Sequence, residues 1–248
     1  MITSIALAAA LWPAQVDQYC PPPNGTLIVG VAHNLQKEFL YCEWFSKKDE
    51  QKFRVDYVHG SSTFAVKDLD FSVSSLIPKI TQLDSRTGEL REASINNQQV
   101  TLQYRENKNK NTDITTLPVS KVDVLDAGFN DFVRAHWDKL LAGNALSVNF
   151  GSIAHQKTLP LLISAKPAAT CENAINRESQ KAPFCFIVEI DNMILRLLIG
   201  NIKLVYDQQH RLQEFNGTVN IQNNEQKSQH AVIHYYYSID YFSAPDVK

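Results

Sequence analysis

The 248-residue sequence predicts a mainly β (α+β) protein, an antiparallel half barrel or barrel of about ten strands with one helix packed on the concave side. Three observations carry this expectation. Short apolar or alternating runs recur along most of the chain, separated by turns containing Gly, Asn or Asp. A single stretch, DAGFNDFVRAHWDKLLAGN (126–144), has a well-formed helical period. No linker is long enough to divide residues 20–248, which are expected to form one domain.

The strand series opens after the Pro-rich CPPPNG (20–25) with TLIVGVAH (26–33) and the aromatic EFLYCEWF (38–45). In FRVDYV (53–58), Phe53, Val55 and Tyr57 alternate with Arg54 and Asp56, as a half-buried strand requires. TFAVKDLDF (63–71), KITQL and VTLQYR (100–105) follow, with DSRTGE read as a hairpin turn and ENKNKNTD as a solvated one bearing Lys108 and Lys110. After the helix come ALSVNF (145–150), TLPLLISA (158–165), FCFIVEI (184–190), NIKLVYD, LQEFNGTVNI (212–221) and HAVIHYYY (230–237). An outer-membrane barrel is the rival architecture, disfavoured because a helix and a cysteine-bounded loop interrupt the series and the chain closes on APDVK.

In the helix, Phe129, Phe132, Val133, His136, Trp137, Leu140 and Leu141 recur at three- and four-residue intervals and form one apolar stripe. Asp131, Arg134 and Asp138 fall on the other side, where they pair weakly along the surface. Asp126 is the expected N-cap and Gly143 the expected stop. Such a wide stripe suits a helix lying against a sheet.

Residues 2–12, ITSIALAAALW, form an apolar run of signal-peptide length followed by small residues, although no Lys or Arg precedes it. The run is too short to span a bilayer, which takes about 20 apolar residues. Residues 1–19 are therefore expected to be a signal-like segment, with cleavage near residues 14–19 and export to the periplasm or the outside. A buried N-terminal helix is the alternative. The four cysteines, Cys20, Cys42, Cys171 and Cys185, suit an oxidising compartment, being even in number and without a C-x-x-C pair. Three pairings are open; Cys20–Cys42 and Cys171–Cys185 close the shortest loops, and the second is expected to contribute about 3 kcal/mol.

The formal net charge of −2 gives no field for nucleic acid, so no nucleic-acid partner is expected, and none of the catalytic signatures G-x-S-x-G, G-x-G-x-x-G, H-E-x-x-H or a phosphate-binding loop is present. No metal site and no cofactor are expected. His230 and His234 would share a strand face about 13 Å apart, too far to reach one zinc ion. His136, on the apolar stripe, reads either as a satisfied core histidine or as a ligand-facing one.

FLYCEWF, FAVKDLDFS, LDSRTGELREA, LQYRE, the helix, LVYD…RLQEFNGTVNI and HAVIHYYY, in that order over most of residues 37–237, resemble an uncharacterised family of exported bacterial proteins. The resemblance supplies no catalytic residues. The late LxxFxGxxNI pattern with its Tyr-rich strand is similar, more loosely, to periplasmic domains of the lipoprotein-carrier-like fold. That likeness implies a curved sheet around helices and an apolar ligand on the concave face. The leading functional expectation is an exported protein, not spanning the membrane, that holds an apolar small molecule, a lipid or an envelope partner between sheet and helix. Phe129, Phe132, His136, Trp137 and Tyr235 are its candidate ligand-binding residues. Two alternatives are a hydrolase-like enzyme whose scattered site draws on His136, Glu43 and Arg105, and an interaction protein with an exposed apolar patch.

Overall fold

The computed structural model describes residues 12–171, 184–191 and 200–243. The apolar run at 2–11, the cysteine loop at 172–183 and the terminal APDVK lie outside the described residues. The first half of the chain supplies β1 (Thr26–His33), β2 (Phe39–Asp49), β3 (Lys52–His59), β4 (Ser62–Asp70), β5 (Lys79–Asp84), β6 (Glu89–Asn96), β7 (Gln99–Arg105) and β8 (Asp113–Pro118). The second half supplies β9 (Val124–Leu125), β10 (Leu146–Ser152), β11 (Lys157–Lys166), β12 (Phe184–Ile190), β13 (Ile202–Tyr206), β14 (Leu212–Thr218) and β15 (His230–Tyr237). Together they form one 15-stranded sheet in the order β8-β7-β6-β5-β4-β3-β2-β1-β15-β14-β13-β12-β11-β10-β9. All pairings are antiparallel except the short β9–β10 pair.

This order forces the sheet to roll. Laid flat, fifteen strands at about 4.8 Å spacing would put β8 and β9 about 67 Å apart. Those two edge strands are joined directly by residues 119–123, and the chain from Pro118 to Val124 reaches at most about 22 Å. The edges therefore face each other, but they are not hydrogen-bonded, and the result is a barrel-like open sheet.

The rolled sheet has two distinct faces. On the outer face, α1 (Ala14–Tyr19) packs Val16 over Val29, Val31 and Val58, beside the Cys20–Cys42 disulfide. Residues 14–19, assigned by sequence to the signal-like segment, are thus part of the folded unit. On the far half of that face Cys171 and Cys185 form the second disulfide, against Ile187 and Val205. The inner face carries two large apolar clusters, one under β2–β7 and one under β10–β13.

Helix residues cover the inner face of β10–β13, as the stripe predicts, but not as one helix over 126–142. The segment divides into α2 (Gly128–Ala135) and α3 (Trp137–Leu141), with His136 between them at φ −111° and ψ 16°. The His136 ring helps to explain the break, because Nδ1 lies 2.9 Å from the Phe132 carbonyl and competes for the acceptor of the helical bond. Phe132, Val133, Trp137 and Leu140 are buried as expected, whereas Leu141 is 44% exposed. Asp126 is not the N-cap: Ala127 holds that position, and Asp126 sits in the left-handed region with its carboxylate turned to the interior. Gly143, at φ +88°, ends the segment as predicted. Gly128 is required by contact, since a Cβ there would lie 2.1 Å from the Leu76 carbonyl oxygen. A last helix, α4 (Ile239–Ser243), follows β15.

The expectation of about ten strands was low. β6 carries Glu89 and Arg91 at inward positions, which disguises its alternation, and β8 is an edge strand without a single buried residue.

Candidate functional site

A shallow, open cleft of about 370 Å³ lies where the α2–α3 segment meets the sheet edge. Leu76, Phe132 and Leu146 give it apolar surface; Asp123, His136, Lys139 and Ser147 give it polar groups. Phe132 and His136, four residues apart across the helix break, stack with ring centres 4.3 Å apart. The break therefore fixes the imidazole as a platform at the cleft. Asp123 is already engaged, accepting from the Asn149 backbone N–H at 2.7 Å and its side-chain amide at 2.9 Å. Lys139, by contrast, is exposed.

The five candidate ligand-binding residues are not brought together. Phe132 and His136 line the cleft. Phe129 packs edge-on to Phe150. Trp137 is 5% exposed and enclosed by rings, stacked on His210 at 3.9 Å with Phe184, Phe186 and Tyr206 edge-on around it. Tyr235 belongs to a separate cluster around Glu43. The three candidate catalytic residues are also dispersed. Glu43 lies in that inner cluster, and Arg105 donates to the Gly88 carbonyl from a position opposite Leu90, on the face away from Glu89.

The inner cluster is dictated by strand register. Tyr235, Gly30, Glu43, Tyr57, Ala65, Asp84 and Glu89 are successive partners across β15, β1, β2, β3, β4, β5 and β6, so their side chains share the inner face. The adjacent row is Val55, Lys67, Gln82, Arg91 and Tyr104. Gly30 makes the cluster possible: a Cβ there would stand 3.0 Å from the Tyr235 ring and 3.2 Å from Glu43 Cβ.

Three ion pairs engage the charged residues of these rows. Lys67 Nζ lies 2.9 Å from Asp126, Arg86 2.6 Å from Asp84, and Arg91 2.8 Å from Glu89. Asn220 links two of them, donating to Asp126 at 2.7 Å and accepting from Arg91 at 3.0 Å. Glu43 is the fourth carboxylate and has no ion pair of its own among the described residues; the Tyr235 hydroxyl donates to it at 3.1 Å. Burial, opposed by Lys67 and the Tyr235 hydrogen bond, pushes the Glu43 carboxyl up to about 7. Burial and the Glu43 charge raise the phenols of Tyr41, Tyr57 and Tyr235 well above their ordinary value, which keeps them neutral.

A raised carboxyl value means that the folded chain keeps a proton which the unfolded chain has lost between about pH 4.5 and 7. The Glu43 contribution to stability is thus full below that window, declines as pH rises through it, and is level above. The whole interval corresponds to about 3 kcal/mol. Glu43→Gln is expected to remove this decline. Urea unfolding of both proteins at several pH values checks it; parallel pH profiles would show that Glu43 does not titrate there.

No family model matches the chain, and no curated protein matches it. Its fold is similar to that of a β-barrel-like protein of the domain of unknown function DUF1849 from Brucella abortus, with a TM-score of 0.42 and 7% sequence identity over 86% of this chain and 98% of that one. No residue role is carried over from it.

Among the residues that sequence reasoning missed, Asp123, Leu146 and Ser147 reach the cleft from the strand ends that flank the helical segment and Leu76 from the loop before β5, while Tyr57 and Lys67 join Glu43 through strand register and Asp126 through Lys67. The signal within reach was Lys67, a charge on an otherwise inward-facing alternation with Ala65 and Leu69.

Proposed function

We propose that this is an exported, periplasmic binding protein that holds an amphiphilic small molecule or lipid at the α2–α3 cleft. The observation that carries the reading is the lining of the cleft, where Leu76, Phe132 and Leu146 lie beside the His136 platform and the exposed Lys139. An apolar chain would cover the first group, and an anionic or acceptor head would meet Lys139 and His136. A volume of about 370 Å³ lies within the range of small-molecule sites, at its lower end. Two disulfides support an oxidising, extracytoplasmic location. No described helix is long and apolar enough to cross a membrane. The burial of Val16 of α1 against the sheet, with Trp12 packed on the same cluster, supports processing on export ahead of Trp12 in place of the 14–19 expected from sequence.

Calorimetric titration with dodecanoate tests the reading. Wild type is expected to bind it in preference to dodecyltrimethylammonium, and the double variant His136→Ala/Lys139→Glu should bind at least about tenfold more weakly, a loss of about 1.4 kcal/mol. Equal affinity of wild type and variant, or preference for the cationic amphiphile, would remove the cleft from consideration.

A further inference from the structure

Among the described residues around Glu43, the cations Lys67, Arg86 and Arg91 meet the carboxylates of Asp126, Asp84 and Glu89, and we propose that Lys67 is a proton-governed two-way contact. With Glu43 protonated its ammonium is held by Asp126; when Glu43 ionises, the ammonium is drawn toward Glu43, Asp126 is released, and the start of α2 slackens.

The geometry singles out Lys67. Arg86 and Arg91 are each bound to a carboxylate two residues away on their own segment, both through more than one nitrogen. Lys67 joins a partner 59 residues away through a single ammonium, which can turn without losing a fixed fork. Glu43 lies two strands and one row from Lys67, roughly 12 Å between backbone positions, a gap that two inward side chains can narrow to contact. Lys67 and Asp126 side chains are only 7% and 10% exposed, so a second negative charge on this face acts with little screening.

Every group that faces Glu43 fits this assignment. β1 contributes Gly30, which has no side chain; β2, β3 and β15 contribute the neutral phenols of Tyr41, Tyr57 and Tyr235. β5 and β6 contribute Asp84 and Glu89, held by Arg86 and Arg91, and the segment before α2 contributes Asp126. Lys67 is the cation left to answer a charge on Glu43. Because burial pushes the Glu43 carboxyl up to about 7, the exchange has its midpoint near neutrality.

Asp126 is the lever. It stands at φ +45° two residues before α2, and without Lys67 its carboxylate keeps, among the described residues, the Asn220 amide and the Ala127 N–H. α2 in turn carries Phe132 to the cleft. An effect on ligand binding rests on the proposed function; the movement of α2 does not.

Hydrogen exchange of the full chain, corrected for the intrinsic pH dependence of amide exchange, reads α2 directly. Between about pH 6 and 8 the amides of residues 131–135 are expected to lose about tenfold in protection beyond any loss in β10–β12, and Glu43→Gln should abolish that excess. Tyr235→Phe removes a hydrogen bond that favours the ionised carboxyl, so its midpoint should move to higher pH. Protection of α2 that tracks β10–β12 at every pH, an excess loss that persists in Glu43→Gln, or an unmoved midpoint in Tyr235→Phe would overturn the proposal. If α2 follows pH while dodecanoate does not bind, the switch stands and the binding reading falls.

Discussion

Trp137→Ala should lower the unfolding free energy by about 3–5 kcal/mol, the range for truncating a buried aromatic. The indole is 5% exposed and is contacted by His210, Phe184, Phe186 and Tyr206, which come from two strands, β12 and β13, and the turn after β13. The vacated space cannot close, because those rings are fixed by strands on the opposite side of the cluster. Against a typical stability of about 5–15 kcal/mol the loss is large. Arg134→Ala, on the other side of α2 and only partly buried, should cost about 1 kcal/mol or less. Equilibrium urea unfolding compares the two. Similar small losses in both variants would mean that α2–α3 does not seal the inner face as described.

Lys67→Met is the second large effect. It removes the cation from a pair with 7% and 10% side-chain exposure and leaves Asp126 buried with only neutral donors. Breaking one side of such a pair costs about 3–5 kcal/mol, chiefly the penalty for the stranded charge. Replacing both partners, as in Lys67→Met/Asp126→Leu, should recover much of the loss, because an apolar pair of similar size is often no less stable than the ions. The double-mutant cycle in urea separates the cases. If the double variant is as unstable as the two single losses added together, Lys67 and Asp126 do not act as a pair.

The strands whose alternation follows the hydrophobic rule were legible in the sequence. Phe53, Val55 and Tyr57 on β3 and Ile202 and Leu204 on β13 were placed on their strands from pattern alone. The pattern fails where the inner face is polar. Glu89 and Arg91 point inward from β6, so that strand reads as a solvated segment, and DSRTGE reads as an ordinary turn although Asp84 and Glu89 within it belong to the interior and Arg86 holds Asp84 from the turn. The helix was found by its stripe, yet its break at His136 depends on a ring–carbonyl contact that periodicity does not encode. Glu43 was named as a candidate catalytic residue and Tyr235 as a candidate ligand-binding residue, but the two were not brought together. Tyr235 is 192 residues away, and Asp126 had already been assigned a capping role that its local sequence fits well. Long-range partners of this kind become visible only when register lines up a row across seven strands.

The claim that an amphiphile binds beside the helix break, and not inside the sheet, is tested most directly by a chain-brominated dodecanoate, whose bromine quenches indole fluorescence at short range. The three tryptophans divide cleanly. Trp12 and Trp44 pack on the outer-face cluster with α1, whereas Trp137 lies in the inner cluster, next in the chain to His136, which lines the cleft. In a Trp12→Phe/Trp44→Phe protein, emission from Trp137 should fall on titration with the brominated chain and respond less to dodecanoate itself. In a Trp137→Phe protein, emission from Trp12 and Trp44 should be unchanged. Quenching confined to Trp12 and Trp44, or no quenching at saturating ligand, would contradict the account.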